Sequence, residues 1–327
     1  MRNLLLLLLF IFFLLGCSSS KIIPYYVFKS IKEKAIYIKS YDNTLKLWDV
    51  PFEETDVKTS YGMAHVIVCG PETGEPLVLF HGTDASSTMW YPNVKEFSKK
   101  YRVYGIDFPL EAGKSVSNRI KLTNKQTALF YNEVFKHFQM ENINLLGISR
   151  GGWMVTYLAL CPSNAIKKII LLSPAQTFGG VANLGKVLTG INLKMFPSPK
   201  STNRFFNAFS YRPDKINSVF KEQLYLAYKY GNSKPRLLNM LPFSKKELKS
   251  LKIPVLVLIG DHDIVNNEKI FVKAHQFISN IETAVIKDAG HFMSIDQPES
   301  INKKVIEFLD KNENVIDKPL VQQSLFR

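Results

Sequence analysis

Cysteine is scarce in this chain: Cys17, Cys69 and Cys161 are the only three among 327 residues. Cys69 and Cys161 have no spacing typical of a disulfide framework or a zinc site, so both read as small buried residues and no metal is expected. No unit of about 20–50 residues repeats, which excludes solenoids and propellers. Acidic residues are too few to balance the basic ones, and the net charge is +14, or +13 without Arg2. Most of the excess lies in residues 179–250, with 13 Lys or Arg against 3 Asp or Glu. A solvated, lysine-rich face is the plain reading; a surface facing anionic lipid or acidic substrates is the other. Nothing resembles a nucleic-acid-binding module, so basicity does not argue for that partner. With 46% hydrophobic and 21% charged residues, the chain can bury a full core as one large or two small domains.

Long apolar runs are also missing, apart from residues 4–15, which follow Arg2 and precede Gly16-Cys17 and Ser18-Ser19-Ser20. That run is too short for a stable membrane span and reads as a cleaved signal peptide. Leu14-Leu15-Gly16-Cys17 resembles a bacterial lipobox. The resemblance implies cleavage before Cys17, a lipid on its sulfur, and residence in the bacterial cell envelope, anchored to a membrane. The alternative is an ordinary secretory signal with an incidental cysteine.

Beyond residue 24 the spacing of Tyr25, Phe28, Ile31, Ala35, Ile38 and Leu45 is near-helical, an irregular lead-in to the main domain. Residues 57–59 and 64–68 read as strands turned at Tyr61-Gly62. Leu77-Val78-Leu79-Phe80 is short and wholly apolar, as a strand buried on both faces requires. Strands then alternate with helices: strands at 103–106, 143–148, 169–172, 255–259 and 284–286, helices at 123–140, 151–160, 269–278 and 299–309. Alternation of this kind predicts a doubly wound α/β fold with a mainly parallel sheet. Residues 178–250 are too many for a loop and read as an inserted, mostly helical cap. The expected division is 1–16 signal peptide, 17–60 anchor linker and lead-in, 61–177 and 251–311 core, 178–250 cap, and 312–327 polar tail.

Leu145-Leu146-Gly147-Ile148-Ser149-Arg150-Gly151-Gly152 runs an apolar strand into Gly-x-Ser-x-Gly and straight on into a helical stretch. A serine on so sharp a turn sits in strained backbone, and its neighbours two residues away must be small. Ser149 is therefore the candidate nucleophile, and it needs a base. Of six histidines, His291 in Asp288-Ala289-Gly290-His291-Phe292 follows a late strand and is the candidate. His65, His137, His262 and His275 have bland placements, and His81 in His81-Gly82 reads as shaping a loop. The imidazole needs a carboxylate to hold its tautomer. Where serine sits on such a turn, the order is nucleophile, acid, histidine. Asp261 and Asp263 in Ile259-Gly260-Asp261-His262-Asp263 qualify. Asp263 is preferred because Asp261 follows its strand too closely to reach across, and Asp288 ranks third. The backbone amides of Arg150 and Thr83 are the expected oxyanion donors, each contributing roughly 2.7–4 kcal/mol.

With these pieces in place, the chain resembles bacterial α/β-hydrolases of the carboxylesterase type over about residues 41–309. Ser87-Thr88-Met89-Trp90-Tyr91-Pro92, Tyr101-Arg102-Val103-Tyr104, Leu171-Leu172-Ser173-Pro174 and Gln297-Pro298-Glu299 add to the resemblance. It implies acyl transfer from a small-molecule substrate to water through an acyl-serine, with no cofactor; no obligate protein partner is inferred. Two departures stand out. The loop from Asp107 to Ser115 lacks a glycine usual near Leu110, and position 150 is arginine. Its side chain either biases the pocket toward anions or folds back over the surface. Met195, Phe196, Phe205, Phe206, Phe209, Tyr225 and Tyr228 either line an acyl pocket or form cap core. Peptidase, thioesterase, lactonase or C–C hydrolase chemistry also fits the fold. Serine at position 149 argues against dehalogenases and epoxide hydrolases, which use a carboxylate nucleophile. The rival from another class is a non-catalytic, hydrolase-derived binding lipoprotein.

Overall fold

A computed structural model describes residues 27–161, 165–179, 182–233 and 240–311. The expected signal peptide, Cys17 and polar tail therefore lie outside the described residues. A lead helix α1 (Ile31–Leu45), N-capped by Ser30, packs its Tyr37, Tyr41 and Leu45 into the core. The sheet begins with antiparallel β1 (Phe52–Thr59) and β2 (Gly62–Cys69), then β3 (Pro76–Phe80). A short 3-10 turn (Ser87–Trp90) and α2 (Val94–Phe97) lead to β4 (Arg102–Ile106) and a two-residue β5 (Val116–Ser117). There follow α3 (Asn124–His137), β6 (Ile143–Ile148), α4 (Arg150–Ala159) and β7 (Ile166–Leu172).

After β7 the described residues form α5 (Leu184–Met195), α6 (Pro199–Phe209), α7 (Ser218–Tyr230) and α8 (Lys245–Ser250). The chain then returns to the sheet through β8 (Val255–Gly260), α9 (Lys269–Phe277), β9 (Ile281–Ile286), α10 (Met293–Asp296) and α11 (Pro298–Asp310). Strand order is β1-β2-β4-β3-β6-β7-β8-β9, with β5 pairing β2. From β4 through β9 every pairing is parallel.

The central strands are mostly apolar because both faces are covered, with Asn144 in β6 and Lys167-Lys168 in β7 as polar positions near their starts. Side chains alternate across the sheet: Leu77, Leu79, Leu146, Ile148, Ile170 and Leu172 enter one core with α1, α11 and the cap helices. Val78, Phe80, Leu145, Ile169, Leu171 and Val257 enter the other, with α3, α4 and α9. The edge strand β1 carries Glu53, Glu54, Asp56 and Lys58, charges that discourage pairing with another chain.

Several boundaries move relative to the sequence reading. Within the expected cap, α7 begins at Ser218, because the Asn217 side chain accepts the Val219 N–H and caps it. Cys69 is buried, but Cys161 is only partly so, and both are free. Thr123 caps α3 with a reciprocal Thr123–Gln126 capping box.

Order reverses at β3, whose neighbours β4 and β6 lie on opposite sides. Open α/β sheets bind ligands at such a switch point, beyond the carboxyl ends of the strands. The loops after β3, β6, β7, β8 and β9 all emerge at that end.

Candidate active site

Ser149 stands at the junction of β6 and α4 with φ +55° and ψ −118°. L-residues rarely adopt that backbone, and here the surroundings enforce it. The Ser149 N–H donates to Leu172 O at 2.9 Å, and its carbonyl accepts from Trp153 at 3.2 Å and Ala175 at 3.1 Å. A Cβ on Gly147 would lie 2.4 Å from the Gly151 backbone, and one on Gly151 would lie 2.2 Å from Phe80 O. The strand, turn and helix approach so closely that only glycine fits at either position. Asp84, Ser86, Ser173, Gln176 and Asp288, on neighbouring loops, also have positive φ.

His291 follows β9, and Asp263 follows β8. His291 Nδ1 lies 3.0 Å from Asp263 Oδ1, with both side chains buried. Ser173, at the end of β7, joins them: its hydroxyl bonds Asp263 Oδ2 and lies 2.9 Å from His291 Nδ1. Asn266 Nδ2 donates to the same hydroxyl at 3.1 Å. A hydroxyl has one proton and two lone pairs. With its proton given to the carboxylate, Ser173 accepts from Asn266 and from His291 Nδ1–H. Those partners assign the imidazole proton to Nδ1 and leave Nε2 bare, the tautomer a base requires. Asp261 is committed elsewhere, accepting from the Asp288 and Ala289 amides and pairing with His262.

Ser149, Thr83 and His291 line one cavity of about 470 Å³, mostly apolar. No hydrogen bond joins the Ser149 hydroxyl to the imidazole; such contacts are often looser in unliganded sites and tighten with substrate. The Arg150 amide opens α4, where the first backbone N–H groups have no partner within the helix. The Arg150 side chain does neither thing expected of it. It is buried to 14% exposure, pairs with Glu111, and lies 4.0 Å over the Phe108 ring. Burial lowers its pKa to about 10. Glu111 Oε2 also accepts the Asp84 N–H. One buried carboxylate thus ties the helix carrying one expected oxyanion donor to the residue after the other, Thr83.

His81 shapes this loop from inside the core. It is fully buried, with Nδ1 2.7 Å from Gly82 O and Nε2 accepting the Phe108 N–H at 3.0 Å. Burial pushes its pKa down to about 4, so it is neutral.

Met195, Phe205, Phe209 and Tyr228 line the cavity. The rest of the aromatic stripe does not: Phe206 is core packed on Phe292, Tyr225 packs against the core, and Phe196 is exposed. Three polar residues of the wall, away from Ser149 and His291 in the bonding pattern, are linked to one another. Asp84 bonds Ser233 and accepts from Lys194 of α5 at 3.0 Å, while Lys194 also reaches Ser233 at 2.8 Å. Ser173, Asn266, Glu111 and this tie were not identified as functional from sequence. Only Ser173-Pro174 and the missing glycine near Leu110 marked their places.

Among the described residues, no group of three or more His, Cys, Asp or Glu is placed to hold a metal ion.

The model of the α/β-hydrolase fold family matches residues 75–185. An uncharacterized carboxylesterase, nap, of Bacillus subtilis is 31% identical over 281 residues, 84% of this chain and 92% of that protein. The crystal structure of naproxen esterase (carboxylesterase NP) from Bacillus subtilis superposes with a TM-score of 0.80 at 29% identity, covering 86% of this chain and 100% of the other. That of carboxylesterase CesB (YbfK) from the same organism gives 0.76 at 25%, covering 86% and 99%.

Proposed function

The chain belongs to the α/β-hydrolase fold family of these carboxylesterases, and we propose that it hydrolyses carboxylic esters through an acyl intermediate on Ser149. The observation that carries this reading is the Asp263–His291 pair, 3.0 Å apart, whose histidine lines the cavity together with Ser149. His291 Nε2 takes the Ser149 proton as the oxygen attacks the ester carbonyl. Asp263 and Ser173 hold Nδ1 and stabilise the imidazolium that results. The amides of Thr83 and Arg150 receive the charge that develops on the carbonyl oxygen. Collapse of the tetrahedral intermediate expels the alcohol, which takes the proton back from His291. Water, deprotonated by the same imidazole, then cleaves the acyl-serine and releases the acid. An apolar wall of Met195, Phe205, Phe209 and Tyr228 suits the acyl or alkyl part of the substrate.

A panel of acyl esters of graded chain length, with one thioester and one aminoacyl amide, tests this. Ester turnover well above thioester and amide turnover is expected; preference for the amide would overturn the ester assignment.

The mature protein is a lipoprotein of the bacterial cell envelope, anchored through an acylated Cys17. Residues 4–15 with Gly16-Cys17 support that reading, and multiple acyl chains at about 0.8 kcal/mol per buried methylene suffice for stable anchoring. Cys17→Ser is expected to release the mature chain into the soluble fraction; unchanged retention on membranes would count against the anchor.

A further inference from the structure

The cap presents an apolar face that no part of the described protein covers. On α5, Leu184 is 65% exposed, Leu188 49%, Ile191 51% and Met195 65%, and Phe196 just after it is 65% exposed. The first four recur at i, i+4, i+7 and i+11, a single stripe along the helix. Leu193 is the only buried residue of α5. A contiguous apolar stripe on a helix held so lightly is unusual for a surface facing only water.

Two further observations say what covers it. Lys186, Lys200 and Arg204, on α5 and the adjoining α6, are exposed and form no ion pair among the described residues. Residues 179–250 as a whole carry 13 basic against 3 acidic residues. An apolar stripe flanked by lysine and arginine is the pattern of a helix lying in the plane of an anionic bilayer. The chain also enters the described structure at the cap. Phe28 bridges Gly231, the Lys29 N–H donates to Tyr230 O at 3.1 Å, and the Asn232 N–H donates to Val27 O at 2.6 Å. Val27, ten residues after Cys17, is therefore held beside α7, on the cap rather than at the far end of the sheet. A second copy of the chain is a poorer occupant, because a two-fold contact would set like-charged rims against each other.

We propose that the exposed face of α5, with Lys186, Lys200 and Arg204 beside it, docks on the surface of a bilayer containing anionic phospholipid. The same helix lines the cavity through Val187, Gly190 and Lys194, and Ile191 and Met195 of the stripe border it as well, so docking sets the mouth of the cavity against lipid. If the ester-hydrolase reading holds, esters dissolved in the membrane reach Ser149 without crossing water; the docking itself does not depend on it.

The test uses the full chain carrying Cys17→Ser and Cys161→Ser, so that neither acylation nor a second reactive thiol enters. Leu188→Cys in that background is labelled with a polarity-sensitive fluorophore; Lys136→Cys, exposed on α3 across the sheet, is the control. Vesicles of phosphatidylcholine with phosphatidylglycerol are expected to raise emission at position 188 several-fold, and doxyl groups on the acyl chains to quench it. The control stays unchanged, and vesicles of phosphatidylcholine alone give a markedly smaller response. A label at 188 that stays in water, whether or not the chain binds the vesicles, overturns the proposal. So does an equal response on both kinds of vesicle. Protection of the label without lipid, together with a doubled mass in solution, overturns it in favour of a contact between copies. No readout requires turnover or the anchor, so failure of either reading leaves this result distinguishable.

Discussion

Ser173 is the residue that most changes the chemistry as first read. Serine and histidine roles follow from local motifs, since Gly-x-Ser-x-Gly encodes its own turn and His291 follows a strand within a short, recognisable loop. Ser173 has no such local signature. Its value comes from β7 ending beside both β6 and β8, which brings its hydroxyl to Asp263 and His291 at once. It touches no substrate atom and acts by holding the imidazole, so it is a positioning residue. Ser173→Ala leaves His291 Nδ1 with Asp263 alone and Asn266 without that acceptor. A fall in kcat of about 10-fold or more with KM little changed is expected, whereas a role confined to packing would lower stability and leave kcat intact. Asp263, preferred over Asp261 for its reach along the loop, is the one that stands 3.0 Å from His291 Nδ1. The fate of the Arg150 side chain was not legible in advance, because Glu111 is distant in sequence and its burial is a tertiary fact.

Elements explain why these side chains stay in place. The strands expected at 77–80, 143–148 and 255–259 were readable to within a residue, since apolar runs of this length admit little but buried parallel strands. Those expected at 57–59, 169–172 and 284–286 begin earlier, at Phe52, Ile166 and Ile281, where polar side chains break the apolar pattern. Helix starts in the cap were harder to read, because Asn183, Ser198 and Asn217 cap helices amid many other polar residues. Nor did aromatic composition say which rings face the cavity; α6 turns Phe205 and Phe209 toward it and Phe206 toward Phe292. Glu111, in the loop after β4, joins the loop after β3 to the start of α4 through Asp84 and Arg150. Glu111→Gln weakens the pairing of Arg150 in a site that excludes water, a loss of roughly 3–5 kcal/mol when a buried pair is broken. Urea unfolding is expected to show it. In a double-mutant cycle with Arg150→Met the two losses should be far from additive; additive losses would mean that the pair does not couple these elements.

At the scale of the whole molecule, pH acts on stability through groups that burial holds in one protonation state. His81 is the clearest case: its pKa is about 4 in the folded chain, against about 6.5 when exposed. Above pH 6.5 both states are neutral there and the contribution is fully present. As pH falls toward 4 only the unfolded chain takes up the proton, so stability declines. Between pH 6.5 and 5 this amounts to roughly 2 kcal/mol. Most carboxylates are still ionised over that interval, and His81→Gln is expected to flatten the slope of unfolding free energy against pH. An unchanged slope would place the sensitivity elsewhere.

All of this serves one arrangement, a serine on a strained turn and a histidine with one nitrogen already held, lining the same cavity. The most direct measurement is mass spectrometry of the protein after reaction with a fluorophosphonate. A single adduct on the peptide containing Ser149 is expected, lost in Ser149→Ala and strongly slowed in His291→Ala. A folded wild-type chain that takes up no label, or one labelled at another serine, would contradict it.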